Sequence, residues 1–174
     1  SSEYLMQYKG KKNIALVINF ESVHRIEAYK EIVNNGFTII LDEMHRIKNW
    51  GTPKKPVQVT HGVVYLSNLT KYKIGLTATP TQGLYGGYIE YYPQLRFLGY
   101  TFLSYKDFWN RYVRYIEKSF STTPFPIKQI VGYQHAYEID NLLELIARRY
   151  VPKYEDFEPV HTKVTLPKPS GYAR

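Results

Sequence analysis

Residues 39–49 read Ile-Ile-Leu-Asp-Glu-Met-His-Arg-Ile-Lys-Asn, an apolar run that passes directly into an adjacent acid pair. A short, uninterrupted apolar run is typical of a parallel strand that is buried on both faces. Open α/β sheets bind their ligands just beyond the carboxyl ends of such strands, where Asp42 and Glu43 lie. One carboxylate there can hold Mg²⁺, and a second can orient a water beside a phosphate. The stretch predicts nucleotide hydrolysis, with an ordinary solvated acid pair as the alternative.

The predicted elements follow the order of a right-handed parallel α/β unit. In the first half, we predict strands at 14–19, 37–41 and 72–76, helices at 23–34 and 57–69, and a loop at 50–56. In the second half, we predict helices at 85–98, 105–117 and 139–150, a loop at 119–126 and a strand at 161–166. We expect an α/β fold in one domain over 1–174, a parallel sheet flanked by helices, with 168–174 as an exit linker.

The composition excludes several classes of protein. With 174 residues, of which 44% are hydrophobic, the chain can bury a core, and we expect most of it to be ordered. Its apolar runs fall short of the ~20 residues of a membrane helix, and no secretory signal is visible. We therefore expect an intracellular protein, cytoplasmic or nuclear and of cellular or viral origin, with no membrane partner. Since cysteine is absent, disulfides and thiolate metal sites are excluded.

The charge points to a polyanionic partner. The chain carries 23 Lys and Arg against 15 Asp and Glu, a formal net charge of +8. Such an excess favours association with nucleic acid. A basic protein without such a partner explains the same excess equally well.

A second segment, Gly75-Leu76-Thr77-Ala78-Thr79-Pro80, follows the predicted strand at 72–76. Its two threonine hydroxyls are expected at the same sheet edge as Asp42, because parallel strands end on one side. Hydroxyls there can hydrogen-bond the acidic loop and His45. Such a link lets the state of a phosphate site alter a neighbouring surface. The alternative is an ordinary turn whose hydroxyls are satisfied locally.

These two segments lie about 35 residues apart and resemble motifs II and III of the superfamily two helicases. The first, Asp-Glu-Met-His-Arg-Ile-Lys-Asn, is similar to the Asp-Glu-Ala-His-Arg-x-Lys-Asn segment of the Swi/Snf-like DNA translocases. The second, Leu-Thr-Ala-Thr-Pro-Thr-Gln, resembles their Leu-Thr-Gly-Thr-Pro-x-Gln segment. Further similarities to the family occur at 17–22 (Thr-Tyr-Glu), 108–112 (Phe-x-x-x-Tyr), 148–149 (paired arginines) and 166–167 (Leu-Pro).

The resemblance implies the first of two RecA-like lobes of an enzyme that binds ATP and moves along duplex DNA. Asp42 would hold Mg²⁺, often through water, and Glu43 would activate the attacking water. His45, with Thr77 and Thr79, would couple this site to the DNA. ATP and Mg²⁺ are thus the expected cofactors, and duplex DNA and the second RecA-like lobe the expected partners.

Five residues are candidates for contact with nucleic acid. Asn19 and Ser22, in the segment that resembles Thr-Tyr-Glu, are candidates for contact with the DNA backbone. Lys48, near the end of the acidic segment, is a third candidate for contact with nucleic acid. Arg111 and Arg114 share a predicted helix face with Lys118, at spacings i, i+3 and i+7, and this face could contact phosphates. The alternative is a solvated face over a buried aromatic stripe.

A phosphate-binding loop, Gly-x-x-x-x-Gly-Lys-Thr or Gly-x-x-x-x-Gly-Lys-Ser, is absent from the sequence. Such a loop supplies most of the grip on the phosphates. We therefore expect the chain to be the later part of the first lobe, a fragment of a longer protein, and to hydrolyse little or no ATP alone. A catalytically inactive DNA-binding or regulatory module is the alternative, and a restriction-type helicase subunit is a third interpretation.

Overall fold

The computed structural model describes residues 15–25, 37–81, 87–119 and 125–150, which form a mixed α/β fold. The helices of these ranges are α1 (Gln58–Ser67), α2 (Gly87–Leu98), α3 (Tyr105–Tyr112) and α4 (Ala136–Ile146). The strands are β1 (Thr38–Leu41), β2 (Gly51–Thr52), β3 (Lys55–Pro56), β4 (Tyr72–Gly75), β5 (Val113–Lys118) and β6 (Ile127–Tyr133). Two 3₁₀ helices span Phe20–Arg25 and Met44–Ile47.

The strands β1 and β4 pair in parallel, with Thr38 opposite Tyr72 and Leu41 opposite Gly75. The predicted strands at 37–41 and 72–76 are therefore confirmed, together with the parallel direction of the pair. The expected burial of the first strand on both faces is wrong, since Ile40 is 63% exposed and Leu41 alone of the β1 residues is buried. The helix α1 lies between them in the chain, as predicted. The predicted loop at 50–56 contains a small antiparallel hairpin, in which β2 pairs with β3.

The first core cluster holds α1 against the ends of the parallel strands. The helix forms despite its β-branched residues, which disfavour helices, because Val63 and Val64 are both buried. Burial of one such side chain stabilises the fold by about 1.5–3 kcal/mol, more than the helix propensity costs. The buried members of the cluster are Val23, Leu41, Met44, Ile47, Val63, Val64 and Phe97.

The second core cluster is largely aromatic and joins α2, α3 and α4. Tyr92 is its centre, with the rings of Trp50, Tyr105 and Phe108 each 5.0–5.1 Å from its own ring centroid. These rings meet edge to face, an arrangement that contributes beyond the area buried. Tyr92, Leu95, Phe108, Tyr112 and Ile139 are the buried members. Most of the described tyrosines near α2 and α3 therefore serve packing.

In the described residues of the first half, one predicted strand is wrong and the start of one predicted helix differs. Residues 15–19 form no strand, and Val17 is 93% exposed, although 14–19 was predicted as a buried strand. A 3₁₀ helix over Phe20–Arg25 takes the place of the start of the helix predicted at 23–34. An apolar run alone does not make a strand, because the strand also needs a neighbour with which to exchange backbone hydrogen bonds.

The predicted helix at 105–117 is correct only as far as Tyr112. Beyond it, β5 pairs antiparallel with β6, with Val113 opposite Tyr133 and Lys118 opposite Ile127. The strand β6 was not predicted. As a correction, Arg111, Arg114 and Lys118 do not share a helix face, since only Arg111 is helical. The pairing with β6 supplies the backbone partners that make the strand preferable to more helix.

The last described helix, α4, spans Ala136–Ile146 where 139–150 was predicted. None of the helices in the described ranges combines the length and the apolar character needed to cross a bilayer. The rest of the predicted helix at 23–34, the strand at 161–166, the Leu-Pro pair at 166–167 and the exit linker at 168–174 lie outside the described residues, as does Gln82.

Candidate functional site

The loops that follow β1 and β4 are joined by their backbones. Leu76 N–H donates to Leu41 O at 2.9 Å, and Met44 N–H donates to Leu76 O at 2.8 Å. These bonds continue the parallel pairing past the last strand residues. The acidic segment and the threonine segment therefore leave the sheet side by side, at the edge where α/β sheets bind ligands.

The acid pair lies in solvent at this edge. Asp42 and Glu43 are both exposed, and Asp42 Oδ1 accepts the Glu43 backbone N–H at 3.0 Å. Glu43 has left-handed backbone angles, φ 51° and ψ 51°. A residue with a Cβ is strained there, and such strain occurs often at functional sites. The turn directs the chain straight into the 3₁₀ helix Met44–Ile47.

His45 connects the two segments. Its Nδ1 lies 3.1 Å from Glu43 Oε2 and 3.1 Å from Thr77 Oγ1. An ionised carboxylate only accepts hydrogen bonds, so the contact with Glu43 places a proton on Nδ1. The imidazole is largely enclosed, with 23% of its side chain exposed, whereas Glu43 is 56% exposed. The ring is thus held, while the carboxylate is accessible to a substrate.

The two threonines have different positions. Thr77 Oγ1 accepts the Thr79 backbone N–H at 3.2 Å and also contacts His45. Thr79 is exposed, and its hydroxyl has no partner among the described residues. The structure therefore brings Thr77 to the acidic segment, whereas Thr79 meets Thr77 through its backbone.

The side chain of Gln94 fastens the threonine segment to α2, a contact that the sequence did not suggest. Its Nε2 donates to Pro80 O at 2.7 Å and to Glu90 O at 3.0 Å. The residue is 1% exposed, and its Oε1 has no hydrogen-bond partner within the described ranges. A buried polar side chain in an apolar helix face was the available signal, because such residues are rarely buried without a specific partner.

A third segment reaches the same edge through Arg46. The guanidinium of Arg46 donates to Glu21 Oε1 at 2.9 Å and lies 4.5 Å from the Phe20 ring centroid. A backbone hydrogen bond and the bond from Arg46 hold the pKa of Glu21 below its ordinary value. The 17–22 segment, which resembles Thr-Tyr-Glu, is therefore beside the acidic loop. Sequence reasoning had assigned no role to Arg46.

The predicted nucleic-acid contacts divide into two groups. Asn19 and Ser22 lie near the site, in the segment held by Arg46, and Ser22 N–H donates to Asn19 O at 2.9 Å. Lys48 ends the 3₁₀ helix of the acidic segment, with its N–H on His45 O at 3.1 Å. Arg111 and Arg114 instead belong to α3 and β5, and the structure does not bring them into the strand-end loops.

Arg111 is engaged within the fold. Its Nε and Nη2 donate to the two carboxylate oxygens of Glu138 at 2.9 and 2.7 Å, and Tyr112 OH donates to Glu138 Oε2 at 3.0 Å. Hydrogen bonds from Arg111 and Tyr112 hold the pKa of Glu138 below its ordinary value, against the effect of desolvation. This forked ion pair joins the end of α3 to the first turn of α4.

Packing beneath the site depends on a glycine. A Cβ added to Gly75 would lie 2.2 Å from Met44 Sδ, far inside van der Waals contact. The buried Met44 side chain therefore fills the space over the last residue of β4. This contact sets the separation between the start of the acidic segment and the start of the threonine segment.

The residues present fit a hydrated Mg²⁺. No group of three His, Asp or Glu side chains in the described ranges is placed to hold a metal by itself. Mg²⁺, however, keeps several waters and is usually bound through one or two carboxylates together with substrate phosphates. Asp42 suits this mode, since its side chain is exposed and its Oδ2 has no partner in the described part of the chain.

Comparison of the chain with protein-family models, with curated proteins and with solved structures gives no match. The interpretation of the site therefore depends on its own geometry and on the motifs that meet there.

Proposed function

We propose that this chain is the later part of the first RecA-like lobe of an ATP-driven DNA translocase, related to the Swi/Snf-like enzymes. The observation that carries the proposal is the position of His45 Nδ1, 3.1 Å from both the Glu43 carboxylate and the Thr77 hydroxyl. This contact joins the two segments that resemble motifs II and III. It does so at the carboxyl ends of two parallel strands, where α/β sheets carry out their chemistry.

The arrangement of the third segment supports the same proposal. Of the six stretches that resemble the family, three lie close together in the structure: those at 17–22, at 42–49 and at 76–82, the last as far as residue 81. The ion pair between Arg46 and Glu21 brings the first stretch to the second, and the strand pairing brings the second to the third. Segments far apart in the chain thus converge on one edge, which an accidental similarity would not require.

In the proposed reaction, Glu43 would accept a hydrogen bond from the attacking water and take its proton as the water oxygen bonds to the terminal phosphorus of ATP. The bond from that phosphorus to the bridging oxygen would break at the same time, releasing ADP and phosphate. Asp42 would hold a hydrated Mg²⁺, whose chemistry when bound is to neutralise charge on the phosphates. His45 shares Nδ1 between Glu43 and Thr77, so any displacement of the Glu43 carboxylate alters the threonine segment. Gln94 passes that displacement to α2, because it binds Pro80 O.

The test is ATP hydrolysis by the whole protein that contains this chain, measured with and without duplex DNA. We expect Glu43→Gln to lower kcat by roughly 10²–10⁴-fold, the usual contribution of a general base. Glu144→Gln is the matched control, because Glu144 is an exposed glutamate on α4. Full hydrolysis by the Glu43 variant would remove this residue from its proposed role.

The alternative is a catalytically inactive DNA-binding or regulatory module with the same lobe. The absence of a Gly-x-x-x-x-Gly-Lys-Thr or Gly-x-x-x-x-Gly-Lys-Ser segment from these 174 residues favours it. The two functions differ in the sequence that precedes the chain. A phosphate-binding loop there, after a strand, supports the enzyme, and its absence together with no DNA-stimulated hydrolysis supports the module.

A further inference from the structure

The antiparallel hairpin of β5 and β6 carries exposed residues on both of its faces, and the proposed function does not use it. It is attached at its base, where Val113 is buried and the Tyr133 ring lies 5.3 Å from that of Tyr88. Beyond Val113, every residue of β5 is exposed. A two-stranded hairpin is marginally stable in water by itself, so a surface that covers one face would stabilise it.

One face of the hairpin is internally paired. Tyr115 and Glu117 alternate with their neighbours along β5 and point to the same side. Lys128 Nζ, on β6, donates to Tyr115 OH at 3.1 Å and lies 4.0 Å from Glu117 Oε1. The Lys128 ammonium also lies 4.3 Å from the Tyr115 ring centroid. The cation on this face is therefore already balanced by a carboxylate and a ring.

The opposite face is cationic and carries no acid. Arg114, Ile116 and Lys118 alternate on β5, and all three are exposed. Cross-strand register places Gln129 opposite Ile116 and Ile127 opposite Lys118. Within the described ranges, neither Arg114 nor Lys118 has an acidic partner. Two cations without an acidic partner in the described part of the chain thus flank aliphatic side chains on one side of a narrow ribbon.

We propose that this face, formed by Arg114, Ile116, Lys118, Ile127 and Gln129, binds duplex DNA. A two-stranded β-ribbon fits the major groove, which is about 12 Å wide. Arg and Lys at the ends of the β5 row contact phosphates on the groove edges, and the aliphatic side chains and Gln129 face the base edges. The choice of duplex DNA among polyanions rests on the proposed function. The binding face itself is inferred from the exposed cations of β5 and from the register of the two strands.

The charge on this face argues against an apolar protein partner. Burial of unpaired Arg114 and Lys118 against an apolar surface would leave two desolvated charges, which is costly. Phosphates neutralise both cations and release counterions, so the same two side chains become favourable. Arg111, which the sequence had grouped with them, takes no part, because Glu138 holds its guanidinium.

The test measures binding of the 174-residue chain to a short fluorescent DNA duplex without ATP, over a series of salt concentrations. Log affinity falls as log salt rises. We expect Arg114→Gln/Lys118→Gln to make this fall less steep by about two units of slope, at about 0.9 for each phosphate contact. At about 0.1 M salt, this corresponds to a loss of affinity on the order of tens of fold.

The matched control is Lys106→Gln/Lys128→Gln, which removes the same charge from α3 and from the paired face of the ribbon. We expect it to keep a slope within about half a unit of the original. Equal slopes for the two variants overturn the assignment, as does a chain that does not bind duplex at low salt. Circular dichroism melts of both variants are the check that each one folds.

This experiment is independent of ATP hydrolysis. If Glu43→Gln leaves hydrolysis intact while the ribbon variant loses DNA affinity, the proposed catalytic role fails and the ribbon assignment stands. If the ribbon variant binds DNA normally while Glu43→Gln abolishes hydrolysis, the ribbon assignment fails and the proposed catalytic role of Glu43 stands. A duplex RNA of the same length, measured alongside, shows whether the ribbon selects DNA. Tighter binding to RNA contradicts the choice of substrate.

Discussion

At the scale of single residues, the site depends on a glutamate in a conformation that glutamate disfavours. Glu43 has φ 51° and ψ 51°. A left-handed conformation costs a residue with a Cβ about 1–2 kcal/mol, whereas glycine adopts it freely. A glutamate occupies this position in spite of the strain, which agrees with a chemical use of its carboxylate.

We therefore expect Glu43→Gly to be more stable than Glu43→Ala by about 1 kcal/mol. Both variants remove the carboxylate, so the difference between them measures the backbone strain, less the greater unfolded-state entropy of glycine. Urea denaturation of the two variants, followed by circular dichroism, gives the comparison. Equal midpoints, or a more stable alanine variant, would show that the turn is not strained.

The buried Gln94 connects the threonine segment to α2. We expect Gln94→Leu to destabilise the chain by about 1–2 kcal/mol, because Pro80 O loses its donor. We also expect it to change the imidazole resonances of His45, since Thr77 belongs to the released segment. Nuclear magnetic resonance of labelled histidine measures this second effect.

Thr60→Val provides the matched control. Thr60 is also fully buried, and its Oγ1 has no partner among the described residues. Removal of that hydroxyl should leave the stability unchanged or raise it by about 1 kcal/mol, without any change at His45. If the His45 resonances are the same in the Gln94 variant as in the unaltered chain, Gln94 has no positioning role.

At the scale of elements, α3 and α4 are joined at their ends by the side chains of Arg111, Tyr112 and Glu138. The hydrogen bonds from Arg111 and Tyr112 favour the ionised form of Glu138, so its pKa lies below the ordinary value of 4.5 in the folded chain. A depressed carboxyl pKa contributes stability above the unfolded value and loses that contribution as the pH falls through the folded value. The junction is therefore sensitive to acid.

We expect the stability of the chain to exceed that of Glu138→Gln at neutral pH. The difference should shrink as the pH falls below 4.5, through the lowered pKa of Glu138. Thermal melts of both proteins at several pH values measure it. Glu117→Gln is the control, because its partner Lys128 is 4.0 Å away on an exposed strand. A difference that stays constant with pH would show that Glu138 stabilises the junction without its charge.

At the scale of the whole molecule, the parts that could be predicted are those with a local cause. The strands at 37–41 and 72–76 are short, largely apolar segments followed by polar segments, and both form as predicted. The meeting of His45 with Thr77 also followed from the sequence, because parallel neighbours end on the same side of a sheet.

The parts of the fold and of the site that were not predicted depend on contacts between residues distant in sequence. Phe108 and Tyr112 continue a helical spacing that a window of sequence extends through 117, yet Val113 turns into β5 because β6 is available to pair with it. Because β6 lies later in the chain, the sequence around residues 105–117 does not reveal that this partner exists. Arg46 and Gln94 were missed for the same reason, since their partners Glu21 and Pro80 are defined only by the folded chain.

The contact between Met44 and Gly75 has a consequence for evolution. The two positions share one volume, so a thioether at the first leaves room for only a hydrogen atom at the second. A change to a compact residue at position 44 would open that volume and permit a methyl group at position 75. We expect these two sites to vary as a correlated pair, large with small, wherever the chain diverges.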